Sequence, residues 1–252
     1  WRSLRDVPFF LAVGDGAAAN VGSSVEHMVL SLGTTAAIRV ISSAKLPPVP
    51  PGLWSYRVNA SLHLIGGATS EGGNIFEWAR QTLKLPPDAE DQLMTARPDA
   101  HGLTFLPLLA GVRSPGWAHD AAGVIDGLRL STTPVEMLQA ALEGVALRLA
   151  IIAEQLGSDQ PVIASGGAIQ ASPAWTQMIA NALNRTLYLA GDGEITARGT
   201  AILALAALDG RSLHDYPLTI ARTLQPQHHA VEILRAARER QVALYQRFYG
   251  RR

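Results

Sequence analysis

Pro161 to Leu208 reads PVIASGGAIQASPAWTQMIANALNRTLYLAGDGEITARGTAILALAAL, and this stretch decides the fold class. The apolar run Pro161 to Ala164 stops at Ser165-Gly166-Gly167-Ala168, the pattern of a strand followed by a turn. Pro173 to Leu183 carries helical spacing behind an early proline. Thr186 to Ala190 is short, apolar and bounded, so it predicts a second strand, and Thr196 to Leu208 predicts a second helix. Strand, helix, strand, helix is the order that yields parallel pairing, because parallel neighbours need a long crossover.

Working outward, Pro134 to Leu156 predicts a long helix with Thr133 at its N-cap, Pro134 in its first turn and Gly157 as its stop. Val231 to Tyr249 predicts a last amphipathic helix with Ile233, Leu234, Ala237, Val242, Tyr245 and Phe248 on one side. Thr104 to Leu109 has the pattern of a buried strand, whereas Leu85 to Asp91 and Gly111 to Gly127 read as loops. Towards the N-terminus, Met28 to Leu32 and Ala36 to Ile41 flank Gly33-Thr34-Thr35 and predict a hairpin. Tyr56 to Ile65 predicts strands, Gly72-Gly73 opens a helix, and the proline-rich Lys45 to Gly52 is irregular. Phe9 to Val13 predicts a strand that stops at Gly14-Asp15-Gly16, with a helix starting there.

Composition narrows the function. The 252 residues hold 21 basic and 21 acidic side chains, so there is no electrostatic footprint of a nucleic-acid binder. No cysteine is present, which excludes disulfides, thiolate metal sites and cysteine nucleophiles. Gly199 to Leu208 is the most apolar run and is too short for a membrane span. The chain opens at Trp1 without a leader, which predicts a piece of something longer in the cytoplasm. The only lysines, Lys45 and Lys84, follow no glycine, so a P-loop is excluded. Gly14, Gly16 and Gly22 lack dinucleotide-fingerprint spacing, no G-x-S-x-G occurs, and the histidines are too scattered for a zinc site. No metal ligand is expected from the chain.

What remains is a set of glycine turns. Gly14-Asp15-Gly16, Gly33-Thr34-Thr35 and Gly166-Gly167-Ala168 are each expected to follow a strand, and Gly72-Gly73 opens a helix. Such turns let backbone N–H groups approach a phosphate, and Thr34 and Thr35 add hydroxyls. Asp15, followed by small residues, is placed to act as a general base; the plain alternative is an N-cap.

At these residues the chain resembles the C-terminal half of the FGGY carbohydrate kinases, the gluconokinase-like branch most nearly. Val13 to Gly22 (VGDGAAANVG) is similar to the family's catalytic-aspartate motif, and Ser31 to Val40 (SLGTTAAIRV) to its phosphate-contacting hairpin. Gly111 to Gly144 (GVRSPGWAHDAAGVIDGL…ALEG) fits its C-terminal signature, with Gly123, Gly127, Glu136 and Glu143 in place. Ala164 to Ala201 (ASGGAIQASPAWTQMIANAL…EITARGTA) is similar to its adenosine-binding stretch. The resemblance implies an α/β, actin-like (ribonuclease-H-like) ATPase domain, a mixed sheet flanked by helices. It implies ATP and Mg²⁺ as cofactors and phosphorylation of a sugar or sugar acid, gluconate first. It implies Asp15 as the base, Gly33, Thr34 and Thr35 facing the transferred phosphate, and Gly73 and Glu77 near the nucleotide. Gly166, Gly167, Ala168 and Ser172 would line the adenosine pocket. It further implies that residues 1–24 end an N-terminal domain and 25–252 form the C-terminal one. The chain would then be inactive without the domain that brings the first phosphate loop and most sugar contacts, and a homodimer is compatible. The competing reading is a non-catalytic actin-like nucleotide-binding or assembly module, for which Asp15 has no purpose. Trp78, Trp175 and Phe105 read as core, and Arg113 and His119 as loop residues within reach of a sugar acid.

Overall fold

A hairpin built from Met28–Leu32 (β1) and Ala36–Ser42 (β2) forms the middle of the sheet. The computed structural model describes residues 2–45, 48–191 and 193–250. Gly33 to Thr35 close the hairpin, with the Gly33 N–H donating to the Thr35 carbonyl at 3.0 Å. Trp54–Arg57 (β3) and His63–Thr69 (β4) extend the sheet beside β2. Val162–Ser165 (β7) and Leu187–Ala190 (β8) extend it beside β1, and Ile220–Leu224 (β9) closes that edge. The order is β3-β4-β2-β1-β7-β8-β9, with β1, β7 and β8 parallel and the other pairs antiparallel. Thr104–Leu106 (β5) and Val124–Asp126 (β6) make a separate ribbon.

Helices cover both faces, as the βαβ pattern requires. Pro134–Leu156 (α4) runs under β2 and β4 and carries the main core. Its ends are where the sequence put them. Thr133 Oγ1 accepts from the Glu136 N–H at 3.3 Å, Glu136 Oε2 accepts from the Thr133 N–H at 2.7 Å, and Gly157 stops the helix at φ +64°. α4 is apolar nearly all round because the sheet lies on one side and Pro173–Leu183 (α6) and His228–Tyr249 (α8) on the other. Gly73–Thr82 (α2), Ala89–Thr95 (α3) and the short Gly167–Ala171 (α5) complete this side. On the opposite face Asp15–Ser23 (α1) crosses Ile195–Asp209 (α7).

Three expectations need correction. Residues 9–13 are not a strand: Phe9 and Leu11 are about nine-tenths exposed, and no strand among the described residues pairs with them. A suitable apolar run becomes a strand only where a ladder partner exists. The Gly14 turn therefore follows an irregular segment. In α8 the buried row is Ala230, Leu234, Ala237, Gln241 and Leu244, while Ile233, Val242 and Phe248 are exposed. Gln241 holds a core position because its side-chain amide donates to the Phe105 and Gly144 carbonyls, both at 2.9 Å. The third correction is that Leu85 to Asp91 runs into α3 and Gly111 to Gly127 contains β6. The sequence carries no expectation for β9, whose residues are mostly exposed and so show no alternating pattern.

Candidate active site

Parallel pairing brings the glycine turns together. Ser31 of β1 lies opposite Ser165 of β7, so the 33–35 and 165–167 turns leave the same end of the sheet side by side. Gly166 has φ +115° and ψ 157°, and a Cβ there would run into the Leu32 carbonyl. Across the hairpin Ala36 pairs with Thr69 of β4, so the start of α2 joins the same end. The Gly73 N–H donates to the Gly33 carbonyl at 2.6 Å and the Asn74 N–H to the Thr34 carbonyl at 3.2 Å. A Cβ on Gly72 would stand 2.5 Å from the Thr35 carbonyl carbon. The amides that open α2 thus fasten the hairpin turn and are not free for a phosphate.

Beyond this end lies an open cleft of about 700 Å³. Gly33, Thr34, Gly73, Glu77, Gly167, Ala168 and Ser172 line it; Thr35, Gly166 and Asp15 do not. Ser172 reaches the cleft with its hydroxyl already engaged, donating to Glu90 at 2.9 Å and accepting from the Trp175 N–H at 3.1 Å as the cap of α6. Glu77 is exposed and sits below the usual carboxylate range, held there by the Arg80 guanidinium 2.8 Å away and by Gln81. The apolar wall was not expected as a site: Phe76, Trp78 and Trp175 face the cleft. Trp175 is also core, its indole N–H donating to the Leu142 carbonyl at 2.9 Å, so an apolar helical position gave no hint of a second role.

A flat apolar wall facing glycine turns suits a nucleotide, with base against aromatic surface and phosphates against backbone. The same cleft offers Mg²⁺ little. Its one lining carboxylate, Glu77, is paired, so a magnesium ion would enter on the nucleotide's own phosphates. Among the described residues one group of three potential metal ligands occurs, Asp99, His101 and Glu143. It is a structural brace. Glu143 accepts from the Asp99 N–H, the Gln139 amide and His101, and Asp99 accepts from Arg240.

Asp15 begins α1, with Gly14 at the N-cap and its own Oδ1 accepting from the Gly16 N–H at 2.7 Å. It is therefore inside the first turn and is not the cap. Its carboxylate is exposed, whereas Gly16 to Ser23 are all buried. Below it, Arg39 of β2 donates from Nη1 to Ser31 Oγ at 3.1 Å. Burial pulls the Arg39 guanidinium below its usual value, against the pull of Tyr56 and Asp15. Burial likewise pushes the Tyr56 phenol up. Asp15 and the cleft are thus separate features joined by one hairpin, whose strands carry Ser31 and Arg39 and whose turn lines the cleft.

The sequence model of the FGGY family of carbohydrate kinases, C-terminal domain, matches residues 28–208. The chain belongs to this family of carbohydrate kinases. A gluconokinase of Bacillus licheniformis is 30% identical over 220 residues, covering 79% of this chain and 43% of that protein. A glycerol kinase of Myxococcus xanthus is 30% identical over 236 residues, covering 90% and 44%. The crystal structure of gluconate kinase from Lactobacillus acidophilus superposes with a TM-score of 0.84 at 27% identity, covering 94% of this chain and 51% of that one. The FGGY chain therefore has the actin-like fold expected of it, and it spans about half the length of the curated relatives it matches. Among its described residues no helix is long and apolar enough to cross a membrane.

Proposed function

We propose that this chain is the nucleotide-binding half of a cytoplasmic kinase that transfers the γ-phosphoryl group of ATP to a hydroxyl of a sugar acid, gluconate first. The observation that carries the reading is the convergence of three glycine-bearing segments on one aromatic-walled cleft, with an exposed aspartate over the same hairpin. Phosphoryl transfer asks a protein mainly for positioning and charge, plus an acceptor for the attacking hydroxyl's proton. Gly33, Thr34, Gly167 and Ala168 would position the phosphates, with Thr35 and Gly166 fixing the turns behind them. Phe76 and Trp78 would hold the base. Gly73 and Ser172 would act as spacers, and Glu77 would rim the cleft. Asp15 would accept the proton. ATP would bring Mg²⁺ with it to supply positive charge at the phosphates.

Residues 1–24 would close a second domain that carries the remaining sugar contacts, a part that relatives twice this length have room for. An assembly module without catalysis would need no carboxylate over the phosphate hairpin, so Asp15 separates the readings. The test is Asp15→Asn in the complete protein, read by coupled ADP release. Loss of a general base typically costs about 10²–10⁴ in rate. We expect kcat to fall at least about a hundredfold with the ATP KM and the melting temperature unchanged. Retention of a third of wild-type kcat would remove Asp15 from the mechanism.

A further inference from the structure

Arg39 is half-buried in β2. Arg185, whose Nε is likewise without a partner, pairs with the Asp159 carboxylate, and Arg39 has no such counterpart among the described residues. Arg148, which is buried, donates to the Ser114 and Pro115 carbonyls and lies over the Tyr245 ring at 5.1 Å. Arg198 donates to the Gly22, Tyr216 and Pro217 carbonyls. Arg39 makes one hydrogen bond, to Ser31, and its buried Nε has no partner. A guanidinium has five N–H donors, and leaving them dry without an acceptor is costly.

The surroundings are shaped for this side chain. Gly66, paired with Arg39 across the β2–β4 ladder, leaves room for its stem: a Cβ there would stand 2.8 Å from Arg39 Cγ. On the other side a Cβ on Gly16 would stand 3.4 Å from Arg39 Nε and would strike the Tyr56 hydroxyl. Trp54 stacks on Tyr56 at 5.0 Å and holds that hydroxyl in place. The charges acting on Arg39 are those of Asp15, Tyr56 and the exposed Arg113. No ion pair joins Arg39 to Asp15 among the described residues, so neither neutralises the other. Around Arg39 the two guanidinium groups, its own and that of Arg113, outnumber the one carboxylate, Asp15.

We propose that Arg39, with Arg113 and the Tyr56 hydroxyl, receives the carboxylate of the phosphoryl acceptor and thereby selects sugar acids over neutral sugars. The inference rests on the reading of Asp15 as the acceptor's base. A nucleotide phosphate is the other anion that could pair with Arg39. It is disfavoured because Arg39 lies inside the strand, while the cleft is lined by the turn and not by Arg39.

The complete protein is assayed by coupled ADP release with D-gluconate and with D-glucitol, which carries an alcohol in place of the carboxylate. One charge-assisted contact is worth roughly 10–100-fold, so wild type should favour gluconate by at least about 50-fold in kcat/KM. Arg39→Gln should bring that ratio to within about threefold, chiefly through the gluconate KM, and Arg39→Lys should restore part of it. Arg113→Gln, an exposed change that keeps the fold, should lower the ratio by about fivefold. Nucleotide Kd, read with a fluorescent ATP analogue, should stay constant throughout. A wild type that favours the neutral polyol overturns the proposal, as does an Arg39→Gln that slows both acceptors equally. A loss of nucleotide affinity in Arg39→Gln would assign the group to phosphate and overturn it too. A wild type that binds no nucleotide would instead bring down the kinase reading and this proposal with it.

Discussion

Replacing Gly166 by alanine should damage the fold and replacing Gly167 should damage the ligand site, although the two are adjacent. Gly166 has φ +115° and ψ 157°, a backbone region that is essentially glycine's alone. Forcing another residue to hold it costs about 1–3 kcal/mol. The new Cβ would also press on the Leu32 carbonyl. Leu32 ends β1, which is paired on one side with β2 and on the other with β7, so it has no free direction in which to retreat. Relieving such overpacking adds about 1–3 kcal/mol. The sum, about 2–6 kcal/mol, corresponds to a melting temperature lower by roughly 4–24 °C for a chain of this size. A Cβ on Gly167 meets nothing within 4 Å, and Gly167 lines the cleft. Gly167→Ala should therefore melt within about 2 °C of wild type, as a surface substitution does. It should also weaken binding of a fluorescent ATP analogue by about tenfold, the cost of one methyl in a close approach. Calorimetric melts and analogue titrations on the two variants decide the matter. Equal melting temperatures, or a nucleotide Kd that moves only in Gly166→Ala, would refute the assignment of Gly166 to the turn and Gly167 to the ligand.

Glu71 is buried and accepts from the Ala110 N–H at 2.9 Å, and burial raises its carboxyl above the usual 4.5. In the unfolded chain it ionises from about pH 4.5, so the stability it contributes when protonated is lost as pH climbs through the higher folded value. Glu71→Gln should then melt progressively higher relative to wild type between pH 4 and 8, and a flat or falling difference in paired melts would contradict this. The 252-residue chain by itself should bind an ATP analogue yet release no ADP with gluconate; turnover near about 1 s⁻¹, ordinary for a kinase, would show that it carries a complete sugar site.

The parts of the fold readable from sequence were those with strong local physics. α4 announces itself by Thr133, Pro134, Glu136 and Gly157, all working through backbone caps that need no tertiary partner. The parallel pairing of β7 with β8 follows from βαβ alternation, whereas the clustering of the 33–35 and 165–167 turns rests on the β1–β7 pairing, which that alternation does not dictate. Readings that depended on a distant partner fared differently. Residues 9–13 have a strand's composition without a ladder, and Gln241 occupies a core position through two carbonyls far off in the chain. The site shows the same division. Gly33 and Gly167 were marked by conformational freedom, but Trp78 and Trp175 were indistinguishable from core. The use of the Gly73 amide on the Gly33 carbonyl could not be read from either segment alone.

How Asp15 is held over the hairpin depends on one crossing of helices. α1 packs most extensively on α7, and the two meet backbone to backbone at Gly22 and Gly199. A Cβ on Gly199 would press on the Ala18 carbonyl and lie 2.7 Å from the Gly22 nitrogen. One polar pair crosses this seat, Arg198 of α7 donating to the Gly22 carbonyl, while Asn20, fully buried in α1, has neither amide atom hydrogen-bonded. The glycine contact sets the spacing of the two helices, so a change of shape there should move α1. Gly199→Ala must push α1 away by more than about 1 Å to restore ordinary van der Waals contact, and Asp15 travels with its helix. The cleft is lined by residues of the hairpin turn, α2, α5 and α6, none of which belongs to that crossing. A misplacement of about 1 Å can cost about 10²-fold in rate. In the complete protein, assayed well below its melting temperature, Gly199→Ala should lower kcat by one to two decades, an effect of displacement that leaves the carboxylate intact. The ATP-analogue Kd should stay within about twofold. If kcat held within threefold of wild type, the α1–α7 crossing would not be what positions Asp15; if Kd rose in step with the loss of kcat, the cleft and the aspartate would share a support that the packing does not show.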